Sequence, residues 1–250
     1  MSKESYTPGY TTNATNFMAQ RTIKSHGQFI LPHLRSTDTV LDAGCGPGSM
    51  TQGLAQTVEE GHVYGIDSSA SQIERSIANA TKAGISNVTF QVGSCYELPF
   101  NNESFDCVFS HALLEHLSRP LDVLREFTRI LKPGGIIGIC SPDSDGWILA
   151  PPSHELTNAT AAYVALQDSN GGNLRVGKYL STYLQRTGFT EIVTAARYEC
   201  YDSLEFIGQY LALQLDKADL ADYAACFREW TQSEVGLFAQ TWIWATGKKI

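Results

Sequence analysis

The stretch Val40-Leu41-Asp42-Ala43-Gly44-Cys45-Gly46-Pro47-Gly48 decides the fold of this 250-residue chain. An apolar run and an acid precede three glycines at alternate positions, and a helical pattern follows at once. Alternate glycines let a backbone turn sharply off a strand and leave room for a ligand to lie against it, because they carry no Cβ. The acid at Asp42 is unusual for a phosphate site, and it suits a ligand that carries an amine or a positive charge.

Strand and helix patterns alternate after this turn. Apolar residues four apart predict a helix over Ser49–Val58, and the strand that follows it ends at Asp67. A helix over Ser69–Ala83, two more strands, a helix over Pro120–Leu131 and the strand IIGICS come next. Repeated strand–helix units predict a parallel sheet with helices on both faces and right-handed crossovers.

The second half of the chain is less regular. Turn residues dominate Pro142–Gly172 around a helical piece, Thr157–Gln167, and they predict an insertion over the sheet rather than a part of it. A helix over Leu174–Arg186 and the strand FTEIVTAARYEC follow. Two helical stretches between about residues 203 and 233 lead to a last strand, Phe238–Gly247. This pair of late strands in an otherwise parallel sheet predicts an antiparallel edge.

The acid that ends the second strand has a specific spacing from the glycine turn. Asp67 lies 19 residues beyond Gly48, and an acid at about that offset takes a ribose diol in a bidentate hydrogen bond. The alternative is that Asp67 only caps the helix that begins near Ser69, as aspartate often does. A dinucleotide fingerprint, G-x-G-x-x-G, is not met, because Ser49 stands at its third glycine position.

Three motifs carry a family resemblance. The D-x-G-x-G-x-G turn resembles motif I of the class I S-adenosylmethionine-dependent methyltransferases. Residues 93–100 and 104–106 (GSCYELPF, SFD) resemble that family's G-D-A-x-x-L-P-F…S-F-D stretch, and residues 126–135 (EFTRILKPGG) resemble its E-x-x-R-V-L-K-P-G-G stretch. The motifs cover roughly residues 38–141. More narrowly, the chain resembles small-molecule enzymes like those of the ubiquinone/menaquinone-biosynthesis group.

The resemblance implies a fold and a domain layout. We expect an α/β, Rossmann-like, doubly wound, seven-stranded and mostly parallel sheet with an antiparallel final strand, plus a helical lid or insertion. A single methyltransferase domain would span residues 1–250. Its parts would be an N-terminal lid and helix (1–37), a cofactor-binding core (38–141), acceptor-side insertions (142–172 and 201–235) and segments that complete the sheet (173–200 and 236–250).

The resemblance also implies a cofactor, S-adenosyl-L-methionine, and residues that bind it. The glycine turn would lie under its methionine portion and ribose, Asp42 would face its amino group directly or through water, and Asp67 would bind the ribose hydroxyls. Ser94 replaces the acid that usually meets the adenine amine, and the alternative for Ser94 is a simple turn residue. The full set of predicted cofactor residues is Tyr10, Arg21, Asp42, Gly44, Cys45, Gly46, Gly48, Asp67, Ser68, Gly93, Ser94, Cys95, Ser110 and His111.

Four of these residues carry further predictions. Tyr10 would place an aromatic face against the sulfonium, and Arg21 would pair with the cofactor's carboxylate; a disordered tail and a solvated charge are the alternatives. Ser110 and His111 would line the methionine end of the cofactor, and the alternative for His111 is a packed strand-end histidine. His111 and His154 are the candidate general bases for a phenol or carboxylic acid acceptor. We predict no metal site.

The amino-acid composition limits the kinds of partner and the cellular compartment that we expect for this chain. A net charge of −8 disfavours binding to nucleic acid or to an anionic membrane, and no apolar run approaches the roughly 18 residues of a membrane span. The polar start lacks the apolar segment of a signal peptide, and the six scattered cysteines favour a reducing cytoplasm. We therefore expect a cytoplasmic monomer or homodimer acting on a small molecule. The alternatives are a nucleotide-dependent oxidoreductase and a non-catalytic S-adenosylmethionine-binding protein on the same fold.

Overall fold

The computed structural model describes residues 4–201 and 203–250, so the first three residues of the predicted lid and residue 202 lie outside the described residues. The strands are β1 Thr39–Ala43, β2 His62–Asp67, β3 Val88–Val92, β4 Phe105–His111, β5 Leu131–Pro142, β6 Ile148–Ala150, β7 Phe189–Cys200 and β8 Leu237–Lys249. The helices are α1 Thr12–Ala19, α2 Ile23–His26, α3 Ser49–Thr57, α4 Ala70–Lys82, α5 Pro120–Ile130, α6 His154–Ser169, α7 Leu180–Arg186, α8 Leu204–Asp216 and α9 Ala221–Trp230.

The strands form one sheet in the order β3-β2-β1-β4-β5-β8. The first five strands pair in parallel, whereas β8 runs antiparallel to β5, β6 and β7. The predicted doubly wound, mostly parallel sheet with an antiparallel final strand is confirmed. One detail is wrong, because the described residues contain an eighth strand, β6, inside the segment predicted to be an insertion only.

The short strand β6 continues the line of β5 along β8. Residues 242–248 of β8 pair with β5, and residues 237–239 pair with β6. Three residues are too few to show an alternating pattern in the sequence. Their hydrogen-bond partners come from the part of β8 that extends beyond the end of β5, so tertiary pairing rather than local sequence makes them a strand.

Two helix boundaries also differ from the predictions. The helix predicted over 157–167 begins earlier, at His154, because the Ser153 hydroxyl accepts a hydrogen bond from the Leu156 N–H at 3.0 Å and caps it. The helix predicted over 174–186 starts later, as a 3-10 turn over Gly177–Tyr179 that leads into α7.

Helices cover both faces of the sheet. On one face, Leu124 and Phe127 of α5 and Leu184 of α7 are buried against the sheet, and on the other Leu54 of α3 is buried with Val63 of β2. Burial of each large apolar side chain contributes about 1.5–3 kcal/mol. Because both faces are covered, the strand ends are the open edge at which a ligand can lie.

A separate apolar cluster lies in the irregular half. Side chains of α6, α8 and α9 form it together with Phe17 of α1 and Phe238 of β8. The two segments predicted as acceptor-side insertions therefore pack against each other and against the N-terminal helix. Within the described part of the chain, no helix combines the length and the apolar character needed to cross a membrane.

Candidate active site

The glycine turn joins β1 to α3 in a conformation that requires glycine. The φ angles of Gly44, Gly46 and Gly48 are +74°, +51° and +82°, a region that other L-residues rarely adopt. The N–H groups of Gly44 and Cys45 both donate to the Ile66 carbonyl, at 2.8 and 3.0 Å, which ties the turn to β2. The turn is therefore held open as a fixed surface without side chains.

Asp67 at the end of β2 braces this turn. Its Oδ2 accepts from the Gly46 N–H at 3.0 Å, and its Oδ1 accepts from the Ser69 N–H at 2.9 Å. Ser69 is the residue directly before α4, and α4 has no side-chain cap, so the bond to Ser69 supports the turn before the helix and is not a helix cap. Each carboxylate oxygen has a second acceptor position. Burial raises the pKa of Asp67, and the two N–H groups oppose that shift. Asp67 thus positions the turn and keeps acceptor capacity on the cavity side.

One cavity of about 310 Å³ lies at the carboxyl ends of the parallel strands. A residue at or directly after the end of each of the first five strands lines it: Gly44, Asp67, Gly93, His111 and Pro142. In open α/β sheets, this edge is where ligands bind. The fold therefore gathers separate chain segments around one binding site.

The cavity has two chemically different walls. The glycine wall consists of predicted cofactor residues from the first three strand ends: Gly44, Cys45, Gly46, Asp67, Ser68, Gly93, Ser94 and Cys95. The aromatic wall consists of rings from α1, α6, α8 and β8 and the segment before β6: Phe17, Trp147, Tyr163, Tyr210, Phe238 and Trp242. Tyr10, Arg21 and His111 of the predicted set also line the cavity.

Four predicted residues are not brought to the cavity wall. Asp42 is 2% exposed, and its Oδ2 accepts from the Thr51 hydroxyl at 2.6 Å; burial raises its pKa to about 7. The Ser110 hydroxyl donates to the Ala43 carbonyl at 3.0 Å, because this side chain points across to β1. Gly48 caps α3. His154 is the exposed first residue of α6, so it is removed from the acceptor side of the cavity.

Ser94 lies at the glycine wall in the place of the family's acid. Its hydroxyl accepts from the Tyr96 N–H at 3.2 Å, and the residue is exposed. This is the hydrogen bond of a turn residue, which was the alternative for Ser94. A hydrogen bond from Ser94 to adenine stays a prediction.

The N-terminal segment, residues 4–11, lies over the cavity. Tyr6 and Tyr10 stack with their ring centroids 5.1 Å apart, and both line the cavity. The Glu4 carboxylate accepts from the backbone N–H and the hydroxyl of Ser118, at 2.7 and 2.6 Å, and also from the Tyr96 hydroxyl. The sequence predicted an N-terminal lid. It did not predict the hydrogen bonds that Glu4 makes with Ser118 and Tyr96, because these residues are far apart in the chain.

His111 is a buried, neutral imidazole at the cavity. Its Nε2 has no hydrogen-bond partner among the described residues. Burial holds its pKa well below the usual range, and the positive charge of Arg21 lowers it further. The ring packs against Trp242 at 4.8 Å and against His26 at 5.4 Å. His111 is therefore a packed histidine, as the alternative predicted. Its Nε2 is also left without a hydrogen-bond partner among the described residues.

Glu115 is a cavity residue that the sequence prediction missed. It is 3% exposed, and its Oε2 accepts from the Ser141 hydroxyl at 2.9 Å. Burial raises its pKa to about 7, and the bonded Ser141 and the charge of Arg21 oppose the shift. Among the described residues, no group of three or more metal-ligating side chains is found.

The comparisons with known proteins identify the family and the fold. A family model described as a methyltransferase domain matches residues 34–188. An uncharacterized methyltransferase of Schizosaccharomyces pombe is 29% identical over 94% of this chain and 93% of its own length. A demethylmenaquinone methyltransferase of Listeria monocytogenes is 35% identical, but the match covers only 47% of this chain and 51% of that protein. The crystal structure of a putative methyltransferase from Bacillus halodurans superposes with a TM-score of 0.66 at 19% identity, covering 88% of this chain and 96% of that one.

Proposed function

The chain belongs to the methyltransferase domain family, and we propose that it transfers the methyl group of its cofactor to a small, planar molecule bound against the aromatic wall. It is an S-adenosylmethionine-dependent enzyme of the class I, small-molecule type. The observation that carries the proposal for the acceptor is that a single cavity is lined by both the glycine wall and the aromatic wall. An acceptor bound against the aromatic wall would therefore lie next to a cofactor bound against the glycine wall.

The residues of the glycine wall fit the cofactor. A Cβ at Gly44 would point toward Leu113, with its closest atom at 3.1 Å, so glycine keeps this surface open. We propose that Gly44, Gly46 and Cys45 lie under the methionine portion and that Asp67 takes the ribose hydroxyls with its free acceptor positions. When bound, S-adenosylmethionine supplies an electrophilic methyl group on a positively charged sulfur.

The chain's own residues act by positioning and by excluding water. The lid residues Tyr6 and Tyr10 cover the cavity, and the rings of the aromatic wall hold the acceptor's nucleophile in line with the methyl group. Such positioning supplies about 7–11 kcal/mol of barrier reduction. We propose His111 as the residue that takes a proton from the acceptor where one must leave; its Nε2 without a partner among the described residues supports this role, and its lowered pKa makes it a weak base.

The acceptor proposal has support from the relatives only in general terms. The Listeria relative is by its name a methyltransferase of demethylmenaquinone, and a quinone ring is planar, as the proposed acceptor is. The six cysteines are free thiols, which supports the expectation of a reducing compartment such as the cytoplasm.

Titration calorimetry tests the cofactor assignment against the oxidoreductase alternative. S-adenosylhomocysteine, the reaction product, is expected to bind the full chain with one site, and NADH is expected to show no saturable binding. The reverse result, saturable NADH binding without binding of S-adenosylhomocysteine, would contradict the proposed function.

A further inference from the structure

Arg21 projects into the cavity between two rings of the aromatic wall. Its guanidinium carbon lies 4.6 Å from the centroid of Phe17 and 4.7 Å from that of Trp242. A guanidinium over an aromatic face is attracted by the negative charge of that face. The two ring contacts therefore hold the guanidinium at the cavity wall.

The ion pairs of the described residues do not include Arg21. The nearest acids are engaged elsewhere. Glu199 accepts from His26 Nε2 and from Trp242 Nε1, both at 2.8 Å, and Glu115 accepts from Ser141. Arg21 is partly buried, and because no carboxylate lies within ion-pair distance of it among the described residues, an anionic ligand can supply the paired negative charge.

The other titratable groups that face Arg21 do not supply that charge. Burial and Arg21 itself lower the pKa of His116 to about 3, and His111 is likewise neutral. Burial raises the pKa of Tyr210 to about 12 and raises that of Tyr201 further, so both hydroxyls stay protonated. Two carboxylates remain among the groups that face Arg21. Burial alone would raise the pKa of Glu199, but the hydrogen bond from His26 keeps that pKa below its usual value, so Glu199 is ionised. Glu199 is, however, already bonded to His26 and Trp242. Glu115, near its midpoint at neutral pH, carries a partial negative charge.

The surroundings of Arg21 are flat and aromatic. Phe17 stacks on Tyr210 with centroids 4.2 Å apart, and Trp147 packs edge-on against Phe238 at 5.3 Å. The buried Trp147 Nε1 is a further donor without a partner among the described residues. The aromatic wall thus offers ring faces to a planar molecule. The Trp147 Nε1–H and the Arg21 guanidinium can donate hydrogen bonds to an oxygen of that molecule.

From this arrangement we propose that the acceptor is an aromatic molecule bound as an anion, with a carboxylate or phenolate oxygen held by the Arg21 guanidinium. This inference rests on the proposed function, because it concerns the acceptor of that same site. It assigns Arg21 to the acceptor, in place of the cofactor carboxylate predicted from the sequence. A protonated amine in the same position would face the charge of Arg21 and is disfavoured.

The test measures binding of simple probes to the protein saturated with S-adenosylhomocysteine. We expect 4-hydroxybenzoate (the carboxylate) or 4-nitrophenol above its pKa (the phenolate) to bind at least 10-fold more tightly than neutral 4-hydroxybenzamide, and cationic tyramine to bind most weakly. Which of the two anions binds more tightly identifies the oxyanion. Equal affinities for anion and amide, or no binding by either anion, would overturn the inference.

Variants separate this inference from the proposed function. Arg21→Met is expected to remove the 10-fold preference for the anion and to leave the affinity for S-adenosylhomocysteine within about threefold of the wild type. Arg119→Met is the matched control, because Arg119 lies 4.7 Å over the Tyr96 ring but outside the cavity wall. If Arg21→Met instead loses affinity for S-adenosylhomocysteine and keeps the anion preference, Arg21 serves the cofactor and the inference is wrong. Failure of the wild type to bind S-adenosylhomocysteine would contradict the proposed function itself.

Discussion

Replacing Asp67 with alanine is expected to lower the affinity for S-adenosylhomocysteine at least 100-fold. A hydrogen bond to a charged group contributes about 1.5–3 kcal/mol, and the free acceptor positions of Asp67 are proposed to take two ribose hydroxyls. Since each 1.4 kcal/mol is about a tenfold change in affinity, two lost bonds correspond to about 100-fold or more. The substitution also removes the carboxylate that holds the Gly46 and Ser69 N–H groups. Calorimetric titration measures the change.

Asp106→Ala is the matched control for this variant. Asp106 is also a carboxylate that accepts from a backbone N–H, that of Thr39 at 3.0 Å, and it pairs with Lys132 at 2.8 Å. It lies near the start of β4, at the opposite end of that strand from the cavity. We expect this control to lower thermal stability and to keep wild-type affinity. If Asp67→Ala also keeps wild-type affinity, then Asp67 serves only to brace the glycine turn and the turn before α4.

Replacing Gly44 with alanine is expected to lower both stability and cofactor affinity. A non-glycine residue at a φ of +74° costs about 1–2 kcal/mol, and the new Cβ would lie 3.1 Å from Leu113 Cδ1. Leu113 also lines the cavity, so relief of that contact moves the wall against which the cofactor is proposed to lie. We expect a lower melting temperature and a loss of affinity for S-adenosylhomocysteine of at least 10-fold.

The Gly84→Ala variant measures separately the stability that is lost when alanine must adopt a positive φ. Gly84 ends the turn after α4 with a φ of +69°, and a Cβ there meets nothing within 4 Å. This variant is expected to lose a similar amount of stability and no cofactor affinity, which is measured by thermal unfolding and titration side by side. Equal affinities for the two variants would show that the glycine turn is not the cofactor surface.

The part of the site that follows strand ends was predictable from the sequence. The glycine turn and Asp67 each lie where a strand pattern stops, and parallel strands bring their carboxyl ends to one edge. The same logic cannot tell which way a side chain at that edge points. Ser110 was predicted at the cavity, and its hydroxyl instead donates to the Ala43 carbonyl of β1. Asp42 was predicted to face the cofactor, and it is instead buried, with its carboxylate accepting from the Thr51 hydroxyl.

The acceptor side was not predictable from local patterns. The two rings around Arg21 come from α1 and from β8 near the other end of the chain, and no periodicity connects them. Ile148–Ala150 became a strand because β8 extends past β5, and His154 stays exposed because Ser153 begins α6 there. Tertiary contacts decided the positions of the rings and of the strand, whereas the local cap at Ser153 decided where α6 begins.

The measurement that tests the central claim most directly is a crystal structure of the protein with S-adenosylhomocysteine bound. We predict that both ribose hydroxyls lie within about 3.2 Å of the Asp67 carboxylate oxygens, with the methionine portion over Gly44 and Gly46 and the sulfur facing the aromatic wall. A nucleoside bound outside this cavity, or one whose ribose makes no contact with Asp67, would contradict the account.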